Sequence, residues 1–358
     1  RAEAAIHRYL IMERESPDIV VPSEIRSPHP SASTVTKLTQ RLAQLGDIPS
    51  LSGQPDLSDP EMISIIKRFQ SRHDLPTSGI IDARTLQQLN VPIARRLEQL
   101  NLTLERWRWV PRSFSEAPVV VNIPEFRLRA YDEHLNVALS MPVIVGRVAH
   151  RKTPVLQATM TQVIFHPYWN VPRDIQQREI VPHILRSPGY LAARDYELVN
   201  RNGGVEHLST SATVAGLSNG TLRVRQVPGA KNALGSIKFV FPNGYNVYMH
   251  GTPEMNLFQQ TRRDFSHGCI RVQDPGSLAA WVLRRQDGWS REHIDASVAN
   301  PASTTIFLSH PIPVLVVYGT GIAAEDESIK FLDDVYGYDA TLEKSLDQLS
   351  ETRRLAQR

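Results

Sequence analysis

The single cysteine of the chain, Cys269, lies in Ser266-His267-Gly268-Cys269-Ile270-Arg271-Val272, nineteen residues after the histidine of Tyr248-Met249-His250-Gly251-Thr252-Pro253. A free thiol has a pKa of about 8.5, so only a few per cent is thiolate at neutral pH. Nucleophilic use needs that value lowered. A histidine in contact does so by holding the proton as imidazolium, and Arg271, with Arg262 and Arg263 further off, would push the same way. A helix beginning directly after the loop would add its dipole. His250 is the better base, because a strand predicted over 245–249 ends against it and gives it a rigid mount. His267 is too near Cys269 in sequence to face it easily and is assigned an orienting role. The amides of Gly268 and Cys269 are the expected oxyanion hole. Tyr248 shares strand parity with His250, which brings its hydroxyl to the same place.

Each of these residues also has an ordinary explanation. A lone cysteine is most often a small core residue, and a strand-end histidine is most often simply hydrogen-bonded. A zinc site made of His250, His267 and Cys269 ranks lower still, since no fourth ligand spacing and no HExxH helix accompanies them. No metal and no cofactor is expected.

The rest of the 358 residues must position this constellation. Hydrophobic residues are 41% and charged residues 22%, an ordinary globular balance, and the length allows two or three domains. The net charge of +3 is too small to argue for nucleic acid. No run approaches the ~18 apolar residues of a membrane span. One cysteine excludes an internal disulfide. The chain starts at Arg1 without methionine or a charged-then-apolar leader, and this start is read as a trimmed end.

Residues 1–33 read as a short helical pattern (4–10) and a proline-bearing linker. Leu38, Leu42 and Leu45 recur at helical spacing and stop at Gly46. A loop with Pro49, Gly53, Pro55 and Pro60 leads to the stripe Met62, Ile65, Ile66, Phe69, with Asp59 as N-cap before proline. Asp82 caps a third helix, so 34–91 form a three-helix module. Residues 92–117 are a connecting helix closed by Pro111, with Trp107 and Trp109 on different faces and assigned to packing between domains. From 118 the period becomes two. Strands are expected at 118–123, 126–131, 139–145, 159–165, 304–308 and 314–318. A hairpin joins 237–241 to 245–249 around Asn243-Gly244. One helix follows the cysteine at 278–285. Residues 173–222, helical and then polar, are too long for a connection and read as an inserted subdomain. Residues 325–358 are a charged helical tail. The fold class is thus α+β and multidomain: a mostly antiparallel β domain over 118–324 with an inserted cap, plus a small helical module.

The pairing of HGTP with SHGCIRV, with fifteen residues between His250 and Ser266, resembles the L,D-transpeptidase catalytic domain of the YkuD fold. That signature is a histidine, a mid-teens gap and [S/T]-H-G-C-x-[R/N]. The likeness continues through NIPEFRLRAYD, MPVIVGR, RKTPV, HPYWNVP, RVRQVPGAKNALGSIKF and FPNGYNVYMHGTP. It is to the large, capped subfamily, and 173–222 falls where the cap belongs. RLAQLGD with IIKRFQSRHDLPTSGIIDARTLQQLN resembles the type 1 peptidoglycan-binding module. HGTP stands where the subfamily more often has HDTP, and 11–33 match its scaffold poorly.

The resemblance implies that Cys269 is the nucleophile, His250 the base and Gly251 its orienting carbonyl. His267 and Gly268 would be motif residues at the site. Arg271 would face a substrate carboxylate, and Tyr248, Trp169 and Ser266 would contact the donor. It implies attack on a tetrapeptide stem, a thioester, and transfer to an amine, giving a peptidoglycan cross-link. It also implies a periplasmic or cell-envelope location, a Gram-negative source and acylation by carbapenems. Arg147, Arg151, Lys152, Arg223, Arg225 and Lys231 would favour a carboxylate-rich wall polymer. The alternatives are an L,D-carboxypeptidase, with water as acceptor, and a wall-binding scaffold without catalysis.

Overall fold

The computed structural model describes residues 1–48, 56–111, 113–149, 151–187, 189–324 and 328–356, leaving aside the side chains of 350 and 353–356. Pro49, Gly53 and Pro55 of the expected loop lie outside the described residues. The chain divides into two units, one of Arg1–Arg112, Asn122–Glu125 and Val317–Arg358, the other of Ser113–Val121 and Phe126–Val316.

The first unit opens with α1 (Ala2–Glu15), α2 (Ala32–Gln44), α3 (Pro60–Arg72), α4 (Ala83–Leu89) and α5 (Ile93–Trp107). Capping sets their starts: Ser31, Asp59 and Asp82 accept from Thr34, Glu61 and Thr85 amides, each worth about 1 kcal/mol. Leu38, Leu42, Ile65, Phe69 and Leu89 are buried together, so the apolar stripes of α2 to α4 form one core. Trp107 and Trp109 are exposed rather than packed.

The second unit is built on a nine-stranded sheet. Its strands are β1 (Val119–Asn122), β2 (Arg127–Tyr131), β3 (Val137–Gly146), β4 (Leu156–Phe165) and, after an excursion of the chain, β9 to β13. The excursion is a subdomain of its own. It begins at β5 (Trp169–Asn170) and runs through α6 (Arg173–Ile175), a π-helical turn (Gln176–Ile180), α7 (Val181–Arg186) and α8 (Tyr190–Ala193). It ends with β6 (Tyr196–Asn200), β7 (Val205–Glu206), α9 (Thr210–Asn219) and β8 (Leu222–Gln226). Trp169 pairs with Gln226 at its neck, so the chain leaves and returns at one point. The order β5-β8-β6-β7 makes a four-stranded sheet over Ile180, Ile184, Leu198, Leu217 and Val224. The sequence reading found helix and polar coil here. The strands were written in the alternation of Leu222 and Val224 with Arg223 and Arg225.

The main sheet resumes with β9 (Ile237–Val240), β10 (Met249–His250), β11 (Asp264–Ser266) and β12 (Ile270–Val272). After α10 (Pro275–Val282) and α11 (Arg291–Ala299) comes β13 (Thr304–Val317). The order is β11-β3-β12-β10-β9-β4-β13-β1-β2, and a further β2–β3 pairing closes the sheet on itself. The sheet is mostly antiparallel, with β10–β12 and β11–β3 parallel. The two late strands of the sequence reading are one, β13, with its register shifted between Phe307 and Ile312. In the first unit β14 (Gly321–Ala323) pairs with β15 (Ile329–Phe331), and α12 (Tyr338–Ala356) ends the described chain.

The expected hairpin is looser than Asn-Gly predicted. The Asn243 side chain accepts from the Tyr245 and Val247 amides and donates to the Phe241 and Val247 carbonyls. Residues 241–248 therefore form an asparagine-organised loop, and β10 shrinks to Met249 and His250.

Candidate active site

Three short strands set out the site by register. Phe239, Met249 and Ile270 are successive partners across β9, β10 and β12, and all three are fully buried. Side chains alternate along a strand. The neighbouring row, Lys238, His250 and Arg271, therefore projects to the opposite side. Tyr248 and Cys269, one step back on either strand, share that side, and the Ile270 amide donates to the Tyr248 carbonyl at 3.0 Å.

The His250 ring is buried, with Nδ1 donating to the Gly251 carbonyl at 2.6 Å. That bond fixes the neutral tautomer with its lone pair on Nε2. Burial, then the charges of Arg271 and Lys238, lowers the imidazole to about 3. At neutral pH His250 is an uncharged base.

Cys269 is half-buried. Its Sγ–H points to the Asn246 carbonyl at 3.9 Å. Asn246 has φ +56°, a left-handed turn that asparagine tolerates. Burial pushes the thiol up, against the opposing pull of the Tyr248 amide and hydroxyl and of the Lys238 and Arg151 charges. No hydrogen bond joins Sγ to His250. Both shifts, the thiol raised and the imidazole lowered, act against a resting thiolate–imidazolium pair. Arg262 instead pairs with Asp264, and Arg263 bonds the Gln260 and Phe126 carbonyls. The cysteine is followed by β12, not by a helix, so no helix dipole acts on it.

The cysteine loop is clamped from beneath. Ser266 Oγ donates to the Cys269 carbonyl at 2.5 Å and accepts from the Gly268 amide at 3.1 Å. Thr153 Oγ1 donates to the Gly268 carbonyl and accepts from the Gly146 amide, both at 2.8 Å. Ser266 is thus a buried brace that also borders the cavity, and the Gly268 N–H is already engaged. Of the expected oxyanion pair, the Cys269 N–H is left. His267 Nε2 meets Glu179 Oε1 at 2.6 Å, on the inserted subdomain, and does not touch the thiol.

Tyr248, His250, Cys269 and Arg271, with Asn246, His267 and Glu179, line one cavity of about 910 Å³. The main sheet contributes Tyr248, His250, Cys269 and Arg271; the subdomain contributes Trp169, Tyr190 and Tyr196. Tyr190 stacks on His183 with centroids 4.7 Å apart, and burial raises the Tyr196 hydroxyl to about 12. Burial pushes the Tyr248 hydroxyl well up, and Trp169 opposes that rise. Arg151 reaches Asp174 at 2.5 Å, and Arg147 and Lys231 also face the cavity. Arg225 pairs with Glu197 at 2.5 Å, and Arg223 is exposed on the subdomain sheet. Among the described residues, no group of three His, Cys, Asp or Glu side chains is arranged to hold a metal.

Sequence reasoning missed Lys238, Asn246, Thr153, Glu179 and Glu254. Lys238 was within reach of it, because the hairpin register sets it across from His250. Nothing local marked the others.

A curled β sheet presenting a histidine and a cysteine from adjacent parallel strands to one cleft defines a class of cysteine-bearing β domain. Residues 117–305 match the YkuD family, the L,D-transpeptidase catalytic domain, and the chain belongs to that family. Residues 31–89 match a second family, described as "Putative peptidoglycan binding domain". A Haemophilus influenzae protein described as "Putative L,D-transpeptidase" is 30% identical over 242 residues, 68% of this chain and 48% of that protein. The chain thus spans about half the length of that relative. Among solved structures, the L,D-transpeptidase of Stackebrandtia nassauensis is 13% identical over 78% of this chain and 88% of its own, with a TM-score of 0.28. That of Xylanimonas cellulosilytica is 14% identical over 79% and 92%, with a TM-score of 0.24. No helix among the described residues is long and apolar enough to cross a membrane.

Proposed function

We propose that this protein is a cysteine-dependent peptidoglycan L,D-transpeptidase of the cell envelope. The observation that carries the reading is the shared sheet face. His250, its tautomer fixed on Gly251, and Cys269 open together into a cleft walled by the inserted subdomain. The thiol turns from the Asn246 carbonyl toward His250 Nε2, which takes its proton as Sγ attacks the carbonyl of the third stem residue. The carbonyl oxygen becomes an oxyanion beside the Cys269 N–H. The C–N bond to the terminal D-alanine breaks, His250 returns the proton to that amine, and a thioester remains. An acceptor amine then attacks, losing its proton to His250, and the thiol is released.

A donor carboxylate on Arg271 would hold the scissile carbonyl beside Cys269 and His250. The subdomain wall limits water, which favours amine over hydrolysis. The helical module over 31–89 holds the domain on the wall.

The test is incubation with purified disaccharide-tetrapeptide and mass analysis of the products. Cross-linked dimers are expected, and Cys269→Ala abolishes them. Tripeptide without dimer would assign a carboxypeptidase instead. Absence of both, with no carbapenem adduct on the intact protein, sinks the enzyme reading.

A further inference from the structure

Arg271, the cleft cation in register with His250 and the one expected to face a substrate carboxylate, is not vacant. Its guanidinium Nη1 hydrogen-bonds Glu254 Oε2. Glu254 is the partner of Arg271 among the described residues, and both line the cavity with Cys269 and His250. The two sides of the pair differ in burial. The Arg271 side chain is 15% exposed and that of Glu254 56%. The cation is fixed in the wall, while the carboxylate reaches it from solvent.

Glu254 is also tied to the catalytic segment. It follows His250-Gly251-Thr252-Pro253, and its amide donates to Thr252 Oγ1 at 3.2 Å. Its backbone is held while its side chain stays free to swing. An ion pair with one exposed partner is weak and readily exchanged.

We propose that Glu254 is a built-in placeholder carboxylate, a positioning residue that fills the Arg271 anion subsite at rest and is displaced by the carboxylate of the stem-peptide donor. This rests on the donor reading given above. The exchange replaces one ion pair by another. It keeps a desolvated guanidinium from standing unpaired in the empty cleft. A ligand without a carboxylate leaves the Glu254–Arg271 pair intact, so the strength of that pair sets the affinity of the carboxylate-bearing ligand alone.

The experiment is calorimetric titration, in a Cys269→Ala background that cannot turn over, with a free-acid stem tetrapeptide and its fully amidated counterpart. With Glu254→Gln, the free-acid peptide should bind about three- to fivefold tighter, the range expected for release of one exposed ion pair. Its affinity should also fall more steeply with salt, since binding now creates a net new ion pair. The amidated peptide should change by less than about twofold. Glu254→Ser, which removes the charge with a smaller side chain, should move both peptides in the same directions. Unchanged or weaker free-acid binding in both variants overturns the placeholder, and so does equal tightening of both peptides, which would mean simple steric relief. Failure of the free-acid peptide to bind even the Cys269→Ala parent overturns the donor reading itself, and the placeholder with it.

Discussion

The ammonium of Lys238 sits 3.8 Å from the centre of the Tyr248 ring, and against the burial that raises the Cys269 thiol, the Tyr248 amide and hydroxyl, with the Lys238 charge, draw it down. The cation thus rests on the ring of the same tyrosine and favours a thiolate by its charge, while burial has already lowered the lysine. With no ion pair to His250, this is the support that the structure gives to a developing thiolate. Lys238→Met should raise the thiol further and slow iodoacetamide alkylation at pH 7–8 by about three- to tenfold, as for a shift of half to one pKa unit. Tyr248→Phe should act in the same direction. The check is the pH profile of alkylation; identical profiles would remove Lys238 from the account.

His250 makes a second prediction, in stability. Its folded value of about 3 lies below the ordinary 6.5 because burial and two cations oppose the charge. At pH 7 the imidazole is neutral in both states and costs nothing. As pH falls below 6.5 the unfolded chain takes up the proton first, so stability drops until the folded ring also protonates near 3. The slope approaches about 1.4 kcal/mol per pH unit in that window. Urea denaturation of wild type and His250→Gln from pH 7 to 4 should show the two curves converging on the acid side.

Much of this was written in the chain, and the remainder was not for identifiable reasons. The Cys269 and His250 motifs are local, as are the stripes of α2 to α4 and their Ser31, Asp59 and Asp82 caps, and local patterns survive without tertiary knowledge. Period-two alternation marked β2, β3 and β4. What failed was long-range or masked by polarity. Thr153 supports Gly268 across 115 residues, and Glu179 reaches His267 across 88. The strand of β6 was hidden because its sequence, Tyr-Glu-Leu-Val-Asn, is short and half polar. The Asn243-Gly244 signal was real, but the asparagine side chain was used to brace a wider loop.

His267 tests one of those corrections. It contacts Glu179 and not the sulfur. His267→Asn should therefore leave the alkylation rate of Cys269 within about twofold, whereas the Lys238 and Tyr248 variants change it. Its effect should appear instead as freer movement of the subdomain wall, read as faster amide hydrogen exchange over residues 173–186. A large loss of thiol reactivity in His267→Asn would return this histidine to the orienting role that its position in the sequence implied.

The cysteine loop depends on two glycines that no side chain can replace. Gly268 has φ +110°, and a Cβ there would lie 3.1 Å from the Arg151 side chain. At Gly146 a Cβ would lie 2.1 Å from the Arg151 carbonyl and 2.9 Å from the Gly268 Cα. The first substitution strains one residue; the second drives β3 against the loop that carries Cys269. Gly268→Ala should cost about 1–3 kcal/mol of stability, the scale of a residue held in a forbidden backbone region. On the proposed function, displacement of Sγ by even an ångström should cut acylation of Cys269 by about a hundredfold. Gly146→Ala, which meets backbone rather than a movable side chain, should be the more destabilising of the two. Thermal melting ranks the pair, and intact-mass acylation at a temperature where both remain folded separates lost geometry from lost fold. Gly268→Ala that acylates at the wild-type rate would show that the loop does not need this conformation to present its sulfur.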